Sequence, residues 1–362
     1  MKKSIITLAL VLVIAMLTGC AGTPVVYYSD CTCPTGAHTE TTPVETIAPV
    51  ESTPVVEGAV KTGVAIIASA GESKSATAEE NGEAKYDASV VAVTVDDNGV
   101  IQSCIIDSIG TSVTFDATGA ITSDLTAEVP TKNELGDAYN MKLYGGAVAE
   151  WYEQAAALAS YAVGKTVEEL KAGAVDETGH AADADLATTA TIYLGGYVAA
   201  VEKAVANAQH LGAQAGDELK LAIISSVDGS TPADAENAGL AQLYTNVAAV
   251  TVADGVITSC FIDAIQAKVN FDATGTITTD LTAPMQTKNE LGDAYNMKTY
   301  GGAIAEWYEQ AASFASYITG KTPAEVAGIA VDETTKPTDV DLLTSVTIKI
   351  GEFQNLIAKA CG

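Results

Sequence analysis

An exact internal duplication constrains this chain more than any other feature. The stretch TKNELGDAYNMK fills positions 131–142 and recurs letter for letter at 287–298, 156 residues further on. Self-similarity at a fixed spacing sets the unit that folds. A unit of about 145 residues is an ordinary domain size and is large enough to bury its own core. We therefore predict two tandem copies of one domain, residues 61–208 (repeat one) and 219–362 (repeat two).

The charge balance excludes one large class of function. The chain has 18 basic residues, all of them lysine, against 46 acidic residues, for a net charge of −28. Binding to a nucleic acid backbone depends on clustered cationic side chains, so nucleic acid is not an expected partner. The sequence also contains no Ser-His-Asp arrangement, no phosphate-binding loop and no zinc-ligand spacing. We therefore do not expect a hydrolase or a transferase.

The first twenty residues have the pattern of a secretion signal. Lys2 and Lys3 precede a short apolar run at 5–17, and the run ends in Leu-Thr-Gly before Cys20. A basic start, a short apolar stretch and small residues before a cut are typical of a signal peptide. The alternative, a transmembrane anchor, needs about 18 apolar residues or more. The segment resembles a bacterial lipobox, which implies removal of residues 1–19 and lipid on the Cys20 thiol.

Residues 20–60 are predicted to form a disordered tether, since they hold five of the ten prolines and show no periodicity. Cys31 and Cys33 lie in it with His38 nearby. They suggest either a soft-metal or redox pair or an exposed pair with no specific role. The second interpretation is favoured because no other ligand cluster accompanies them. The linker 209–218 is rich in alanine, glycine and glutamine, so some independent motion of the repeats is expected.

Each repeat begins with a pattern typical of an antiparallel meander. Apolar, β-branched runs are separated by Asn-Gly and Asp-Gly turns, which are strong hairpin signals. A further short hairpin is expected around Thr118 and Thr274, giving four or five strands per repeat. The polar segment between the first two runs is interpreted as a loop. The predicted strands are 64–69, 90–95 and 101–106 in repeat one, and 221–226, 247–252 and 257–262 in repeat two.

Helices are predicted after the meander, so the fold class is α+β. The segments 147–161 and 303–317 carry apolar residues on one helical face, with a tryptophan as the core anchor. Capping boxes at Thr166 and Thr322 start a second helix in each repeat. Each repeat is expected to end in a further helix, at 197–208 and 352–360. The apolar face comprises Val148, Trp151, Ala155, Leu158 and Ala159, and in repeat two Ile304, Trp307, Ala311, Phe314 and Ala315.

Some candidate functional residues have simpler explanations. Cys104 and Cys260 occupy matching places on a predicted strand. Free cysteine is most often a small buried side chain, and we prefer that interpretation to a reactive thiol. His180 corresponds to Lys336 in the second copy, so a histidine function shared by both repeats is not indicated.

The segment that we predict to carry the chemistry has the spacing D-x-x-T-x-x-T. It comprises Asp185, Thr188 and Thr191 in repeat one, and Asp341, Thr344 and Thr347 in repeat two. Only 8 of 22 positions match between the repeats from residue 185 onward, yet these three all match. A segment that merely caps a helix needs one polar residue, not three at fixed spacing. The alternative is that the last threonine of each set is an N-cap or a strand residue.

This motif resembles the Asp-x-x-Ser/Thr-Gly-Ala-Thr/Ser motif of the FMN-binding domain family, which is typified by a domain of the sodium-pumping NADH:quinone reductase. In that family the last hydroxyl is joined to FMN through a phosphoester by a separate flavin transferase. The pieces Lys-x-Glu-Leu-Gly, Glu-Trp-Tyr-Glu-Gln and Gly-Lys-Thr are similar to those of flavinylated lipoproteins of Gram-positive extracellular electron transfer. The resemblance implies FMN on Thr191 and Thr347. The family's glycine is Thr189 in one copy and Ser345 in the other, so the sequence leaves open whether both repeats are loaded.

The resemblance also implies a function and partners. The chain would be a lipid-anchored electron carrier outside the cytoplasm, working between a membrane redox donor and an extracellular acceptor. The aspartate of the motif would orient the hydroxyl or hold a metal during flavin transfer. The duplicated block is either a rigid connector or a wall of the site, with Tyr139 and Met141 (Tyr295 and Met297) near the flavin ring. The alternative class is a cofactor-free surface lipoprotein that acts as a ligand-binding or structural module.

Overall fold

The computed structural model describes residues 58–362. The predicted signal peptide, Cys20, Cys31, Cys33 and nearly all of the predicted tether lie outside the described residues. Within them the chain is α+β, with two antiparallel sheets that are each followed by helices, as predicted. None of the helices in the described part of the chain is long and apolar enough to cross a membrane.

Each repeat contributes one three-stranded sheet, so the prediction of four or five strands is wrong. The chain around Thr118 and Thr274 forms turns whose aspartates accept hydrogen bonds from the backbone, and only single bridges follow them. Both sheets are simple meanders, in the orders β1-β2-β3 and β4-β5-β6. The strands are β1 Lys61–Ser69, β2 Gly82–Val95, β3 Ile101–Phe115, β4 Glu218–Ser226, β5 Gly239–Ala253 and β6 Val256–Phe271.

The central and third strands are more than twice as long as predicted. The sequence predicts a loop over residues 82–88, which contain Glu83, Lys85 and Asp87, but in the structure these residues form the first half of β2. The polar side chains alternate with buried Ala84 and Tyr86. This alternation is the two-residue period of a strand that has one buried face and one face towards solvent. The apolar run 90–95, by contrast, is buried on both faces.

The two repeats share one apolar core between their sheets, so the expectation of independent motion is wrong. Phe115 and Phe271, the last residues of β3 and β6, stack at one end of this core with ring centroids 4.0 Å apart and planes inclined by 2°. Reciprocal hydrogen bonds close the same end: the Ala76 N–H donates to the Gly275 carbonyl and the Ala233 N–H to the Gly119 carbonyl, each at 2.8 Å. The shared core includes Val64, Ile66, Val90 and Ile109 of repeat one, and Ile223, Val247, Phe261 and Ile265 of repeat two.

The predicted linker is attached to the first strand. Thr62 and Gln209 exchange two backbone hydrogen bonds of 2.9 and 3.0 Å. The Val60 N–H donates to the carbonyl of Ala213 at 3.0 Å, and both of these side chains are buried. The segments assigned to the end of the tether and to the linker therefore belong to the folded body.

Helices cover the outer face of each sheet. In repeat one, α3 lies on β3 and α6 on β1 and β2, and repeat two repeats this arrangement. The molecule is thus layered as helices, sheet, sheet and helices. The helices of repeat one are α1 Lys132–Leu135, α2 Met141–Gly145, α3 Trp151–Ala162, α4 Val167–Ala174, α5 Ala184–Thr189 and α6 Gly195–Asn207. Those of repeat two are α7 Lys288–Leu291, α8 Met297–Gly301, α9 Trp307–Ile318, α10 Pro323–Ala327, α11 Val340–Leu343 and α12 Gly351–Cys361.

The start of the tryptophan-bearing helix differs from the prediction. Helix α3 begins at Trp151 because Glu150 is its N-cap and forms a capping box with Glu153. Val148 and Ile304 therefore precede their helices and are 57% and 53% exposed, not buried on the apolar face as predicted. The predicted capping boxes of Thr166 and Thr322 are confirmed.

Candidate functional site

The duplicated block folds identically in both repeats because its own residues fix its turns. The Thr131 hydroxyl accepts from the Glu134 N–H, and the Glu134 carboxylate accepts from the Thr131 N–H at 2.8 Å. Gly136 follows with φ 50° and ψ −127°, a conformation that is available essentially to glycine alone. Asn140 then adopts the left-handed region with φ 59°. Helices α1 and α2 are thus held at a fixed angle to each other.

A buried aspartate on the third strand holds this block against the sheet. In repeat two, Asp263 accepts a hydrogen bond from the Asn289 N–H at 3.1 Å, and the Asn289 side chain donates to the Ile262 carbonyl at 3.0 Å. Burial raises the pKa of the Asp263 carboxyl to about 6. The equivalent residues of repeat one, Asp107 and Asn133, make the same contacts. These contacts tie the block to the third strand of its own repeat.

The block also joins the two repeats. Lys203 on α6 pairs with Glu290 of the second block, with 2.7 Å between Nζ and Oε1, and Lys359 on α12 pairs with Glu134 of the first. Each lysine also donates to a strand carbonyl of its own repeat: Lys203 to that of Ile66, and Lys359 to that of Ile223. Such half-exposed ion pairs contribute at most about 1 kcal/mol each. Their main effect is to fix the orientation of the helices.

The D-x-x-T-x-x-T segments lie between two helices in a way that the sequence did not predict. The N-cap of α5 is Asp183, whose side chain accepts from the N–H groups of Asp185 and Leu186. Asp185 is exposed, and its carbonyl accepts from the Thr188 hydroxyl at 2.7 Å. Asp339, Asp341 and Thr344 make the same contacts in repeat two.

The last threonine of each motif is neither an N-cap nor a strand residue. Thr191 follows α5, and the N-cap position of α6 is Leu194. The same holds for Thr347 in repeat two. Thr189 and Ser345 stand where the FMN-binding motif that this segment resembles has glycine, and neither has a positive φ. The backbone here therefore does not need glycine.

A buried glutamine holds each of these threonines, and sequence reasoning missed it. The Gln310 side-chain oxygen accepts from the N–H and hydroxyl of Thr347, at 2.8 and 3.3 Å, and from the Ile348 N–H at 3.2 Å. Its amide donates to the Ala305 carbonyl at 2.8 Å. Gln154 does the same for Thr191. The available signal was the Glu-Trp-Tyr-Glu-Gln sequence that both repeats share.

In repeat two, Thr347 lines a cavity of about 880 Å³. The structure brings this threonine together with Lys288 and Met297 of the duplicated block, some fifty residues earlier in the chain. Asp341, Thr344 and Tyr295 do not belong to the lining. The remaining side chains that define the cavity include Tyr244, Asn246, Trp307, Lys336, Lys349, Glu352 and Phe353.

Lys288 is the most unusual residue of this cavity. It is only 5% exposed, and its ammonium group lies 4.6 Å from the ring centroid of Tyr244, 5.1 Å from that of Tyr295 and 4.8 Å from that of Trp307. It donates a hydrogen bond of 2.8 Å to the Tyr244 hydroxyl. Burial lowers the pKa of Lys288 to about 8. A buried ammonium held by three aromatic rings suits a ligand that carries negative charge.

Asn246 provides an unused hydrogen-bond acceptor beside this lysine. Its amide nitrogen donates to Glu352 at 2.6 Å. Its Oδ1 is the one buried side-chain polar atom in residues 58–362 that lacks a hydrogen-bond partner. Leaving such an atom unpaired costs about 1–3 kcal/mol. An unpaired buried atom is rare in a folded protein and needs an explanation, which a bound ligand would supply.

Repeat one has a different environment at the matching positions. Lys132 is half-buried and lies 5.3 Å from the Tyr139 ring and 5.2 Å from the Trp151 ring. Where repeat two has Tyr244 and Asn246, the aligned strand of repeat one has aspartate and serine. Tyr193 and His180 stand in place of Lys349 and Lys336, with ring centroids 6.0 Å apart.

Replacing Lys288 by methionine is expected to raise the free energy of unfolding at pH 7 by about 1–3 kcal/mol. The folded pKa lies below the ordinary value, so the unfolded chain binds more protons between pH 8 and about 10.5. The free energy of unfolding of the native protein should therefore rise with pH across that window. Below pH 8 the buried charge lowers this free energy by its full cost. Glu352 and Asp263 reduce this cost, whereas Lys268 adds to it.

Urea denaturation at pH 7 and at pH 10 measures this effect. Lys132→Met is the matched control, because that lysine is only half-buried, and its stability change should be smaller. A Lys288→Met protein that is less stable than the wild type at pH 7 would contradict the assignment of a costly buried charge.

The two strand cysteines have the environment of core residues. Cys260 is buried and Cys104 packs against the core of its repeat. Burial raises the pKa of Cys104 to about 12 and raises that of Cys260 as well. This agrees with the interpretation as small core side chains. Within residues 58–362 there is no group of three or more His, Cys, Asp or Glu side chains able to hold a metal ion.

Comparisons with known proteins do not assign a family or a ligand to this site. The chain matches no family model, no curated protein and no solved structure.

Proposed function

We propose that this protein is an electron carrier that holds FMN through a phosphoester on Thr347 of repeat two and on Thr191 of repeat one. A lipid on Cys20 would hold it at the outer face of the cell membrane. The observation that supports the proposal most is the cavity of repeat two. Its lining brings together Thr347, the buried Lys288 and the aromatic ring of Trp307.

The residues that line the cavity of repeat two fit an aromatic anion of the size of FMN. The cavity of about 880 Å³ lies within the usual range for cofactor sites. Its lining has three lysines and one glutamate, on a chain whose overall charge is −28. The unpaired Oδ1 of Asn246 would accept a hydrogen bond from an N–H group, which a flavin ring supplies. Net positive lining on so acidic a chain favours an anionic ligand.

The acceptor threonines are open to modification. Thr191 is exposed and Thr347 half-buried, and each hydroxyl is held by a buried glutamine. Helices α6 and α12 begin four residues later, and Gly351 at the start of α12 lines the cavity. Free N–H groups at a helix start favour a phosphate. The first turn of α12 and the lysines of the lining would thus hold the phosphoester.

When bound, FMN supplies the redox chemistry, and the protein supplies position and electrostatic control. Lys288 would place positive charge beside the ring, and Asn246 would fix its orientation. Gln310 would keep Thr347 at the rim of the cavity. Asp341 is exposed and does not contact Thr347 in this structure, so we assign it no role in binding.

The test is the intact mass of the protein after co-expression with a flavin transferase. We expect two FMN-ester increments in the wild type and one in each of Thr191→Ala and Thr347→Ala. Thr347→Ser is the matched control, because it keeps a hydroxyl and should keep the increment. The absence of any increment, under conditions that load a known flavinylated protein, would sink the proposal and favour the cofactor-free alternative.

A further inference from the structure

We infer that the cavity of repeat two selects its ligand by a ring N–H group, and that Asn246 and Glu352 together make this selection. The ligand class is a planar ring that presents a cyclic imide, in which one N–H stands between two carbonyl groups. The inference rests on the proposed function, since it takes this cavity as the flavin site, and it adds the chemical feature that the protein recognises. The observation behind it is the buried, unpaired Oδ1 of Asn246.

Asn246 is placed in the cavity by the central strand of its sheet. It lies on β5, lines the cavity and is only 2% exposed. Tyr244 precedes it by two residues and therefore lies on the same face of the strand. Ala248 and Val250 continue this face and pack into the core that the helices of repeat two cover. A polar side chain in this position has few possible partners other than a ligand.

Glu352 fixes the orientation of the Asn246 amide. The Asn246 Nδ2 donates to Oε2 of Glu352 at 2.6 Å. A carboxylate only accepts hydrogen bonds, so the nitrogen end of the amide has to face it. Glu352 also stands in the first turn of α12, where the helix dipole favours its negative charge. The oxygen end therefore points away from Glu352, and the cavity receives an acceptor that cannot turn into a donor.

An imide ring complements this acceptor. The oxidised flavin ring carries a single N–H, which stands between two carbonyl groups, and Asn246 would accept from it. Lys288 lines the same cavity and supplies a donor for a neighbouring carbonyl. The Tyr244 hydroxyl accepts from its ammonium group at 2.8 Å, which holds Lys288 in place before a ligand binds. A ring with a methyl group in place of this hydrogen leaves Oδ1 unpaired, and a site built to bond an N–H rejects such an analogue.

Binding of free FMN and of 3-methyl-FMN tests the inference. The methyl group replaces the hydrogen of the ring N–H and leaves the phosphate unchanged. The protein is the full chain with Trp151→Phe, made without a flavin transferase, so that Trp307 in the cavity lining is its only tryptophan. Quenching of the Trp307 emission then reports binding in repeat two. We expect 3-methyl-FMN to bind at least about tenfold more weakly than FMN.

Glu352→Gln separates the orientation of the amide from the charge of the cavity. Glutamine can donate to Asn246, so the amide is free to turn over and the obligate acceptor is lost. The ratio of the two affinities should fall towards one, as it should in Asn246→Leu. Both ligands carry the same phosphate, so the loss of a negative charge does not by itself change this ratio. Glu333→Gln is the matched control, because it removes an exposed negative charge of repeat two outside the cavity lining and should keep the ratio of the wild type.

The outcomes distinguish this inference from the proposed function. Equal affinities for the two ligands, or no quenching by either, overturn the inference. A Glu352→Gln protein that keeps the ratio of the wild type overturns the role of Glu352. Intact mass after co-expression with a flavin transferase tests the phosphoester separately. A protein that gains FMN on Thr347 but binds both free ligands equally loses only the inference, and one that discriminates between them but never gains the increment loses the phosphoester.

Discussion

Phe271→Ala is expected to lower the free energy of unfolding of both repeats together by about 3–5 kcal/mol. The side chain is fully buried and stacks on Phe115 of the other repeat at 4.0 Å. The substitution opens a cavity in a core that the two sheets share, and neither sheet can close it alone. A shared core also predicts a single unfolding transition for the whole body.

The two tryptophans allow each repeat to be observed separately. Trp151 lies in repeat one and Trp307 in repeat two, and both are buried. Proteins with Trp151→Phe or Trp307→Phe therefore carry one fluorescent reporter in a known repeat. Urea unfolding followed in each should give the same midpoint, and Phe271→Ala should shift both midpoints equally. Separate midpoints, or a shift confined to repeat two, would show that the repeats fold independently.

A surface substitution provides the control for this experiment. Tyr300 is a large aromatic residue on α8, but it is 85% exposed. Tyr300→Ala removes a comparable volume from a place where no core is lost. Its effect should stay within about 0.5 kcal/mol.

Gln310→Ala is expected to cost about 2–4 kcal/mol of stability and to abolish flavin loading of repeat two. The substitution leaves the N–H groups of Thr347 and Ile348 and the carbonyl of Ala305 without their partner. Thr347, the proposed acceptor, then loses its fixed position in the lining of the cavity. Urea denaturation measures the first effect, and intact mass after co-expression, at a temperature where the variant remains folded, measures the second.

The duplication supplies a matched control for this variant as well. Gln154→Ala removes the same contacts around Thr191 and should abolish only the increment of repeat one. A folded Gln310→Ala protein with full loading on Thr347 would show that the glutamine has no role in presenting the hydroxyl.

Local signals in the sequence identified much of the fold. The capping boxes of Thr166 and Thr322 and the hairpin turns depend on a few adjacent residues, and they appear where predicted. The lengths of β2 and β3 were missed because their charged side chains alternate with small buried ones. The shared core was missed because a strand buried on both faces does not indicate what covers its second face.

The candidate site was predictable only in part, for a related reason. The threonines stand out because both repeats retain them, but the side chains around them come from distant segments. Tyr244 and Asn246 lie on β5, a hundred residues before Thr347, and differ from their counterparts in repeat one. Lys288 is unusual because it is buried among aromatic rings, and the sequence alone does not indicate that burial.

Tryptic peptide mapping of the loaded protein tests the central claim most directly. Cleavage after Lys321 and Lys349 releases one peptide that contains Thr344, Ser345 and Thr347, since the bond after Lys336 is protected by the proline that follows it. Fragment ions within this peptide distinguish the three hydroxyls. The account predicts the FMN phosphoester on Thr347. Flavin on Thr344 or Ser345, or a peptide without flavin while the protein carries it elsewhere, would contradict the account.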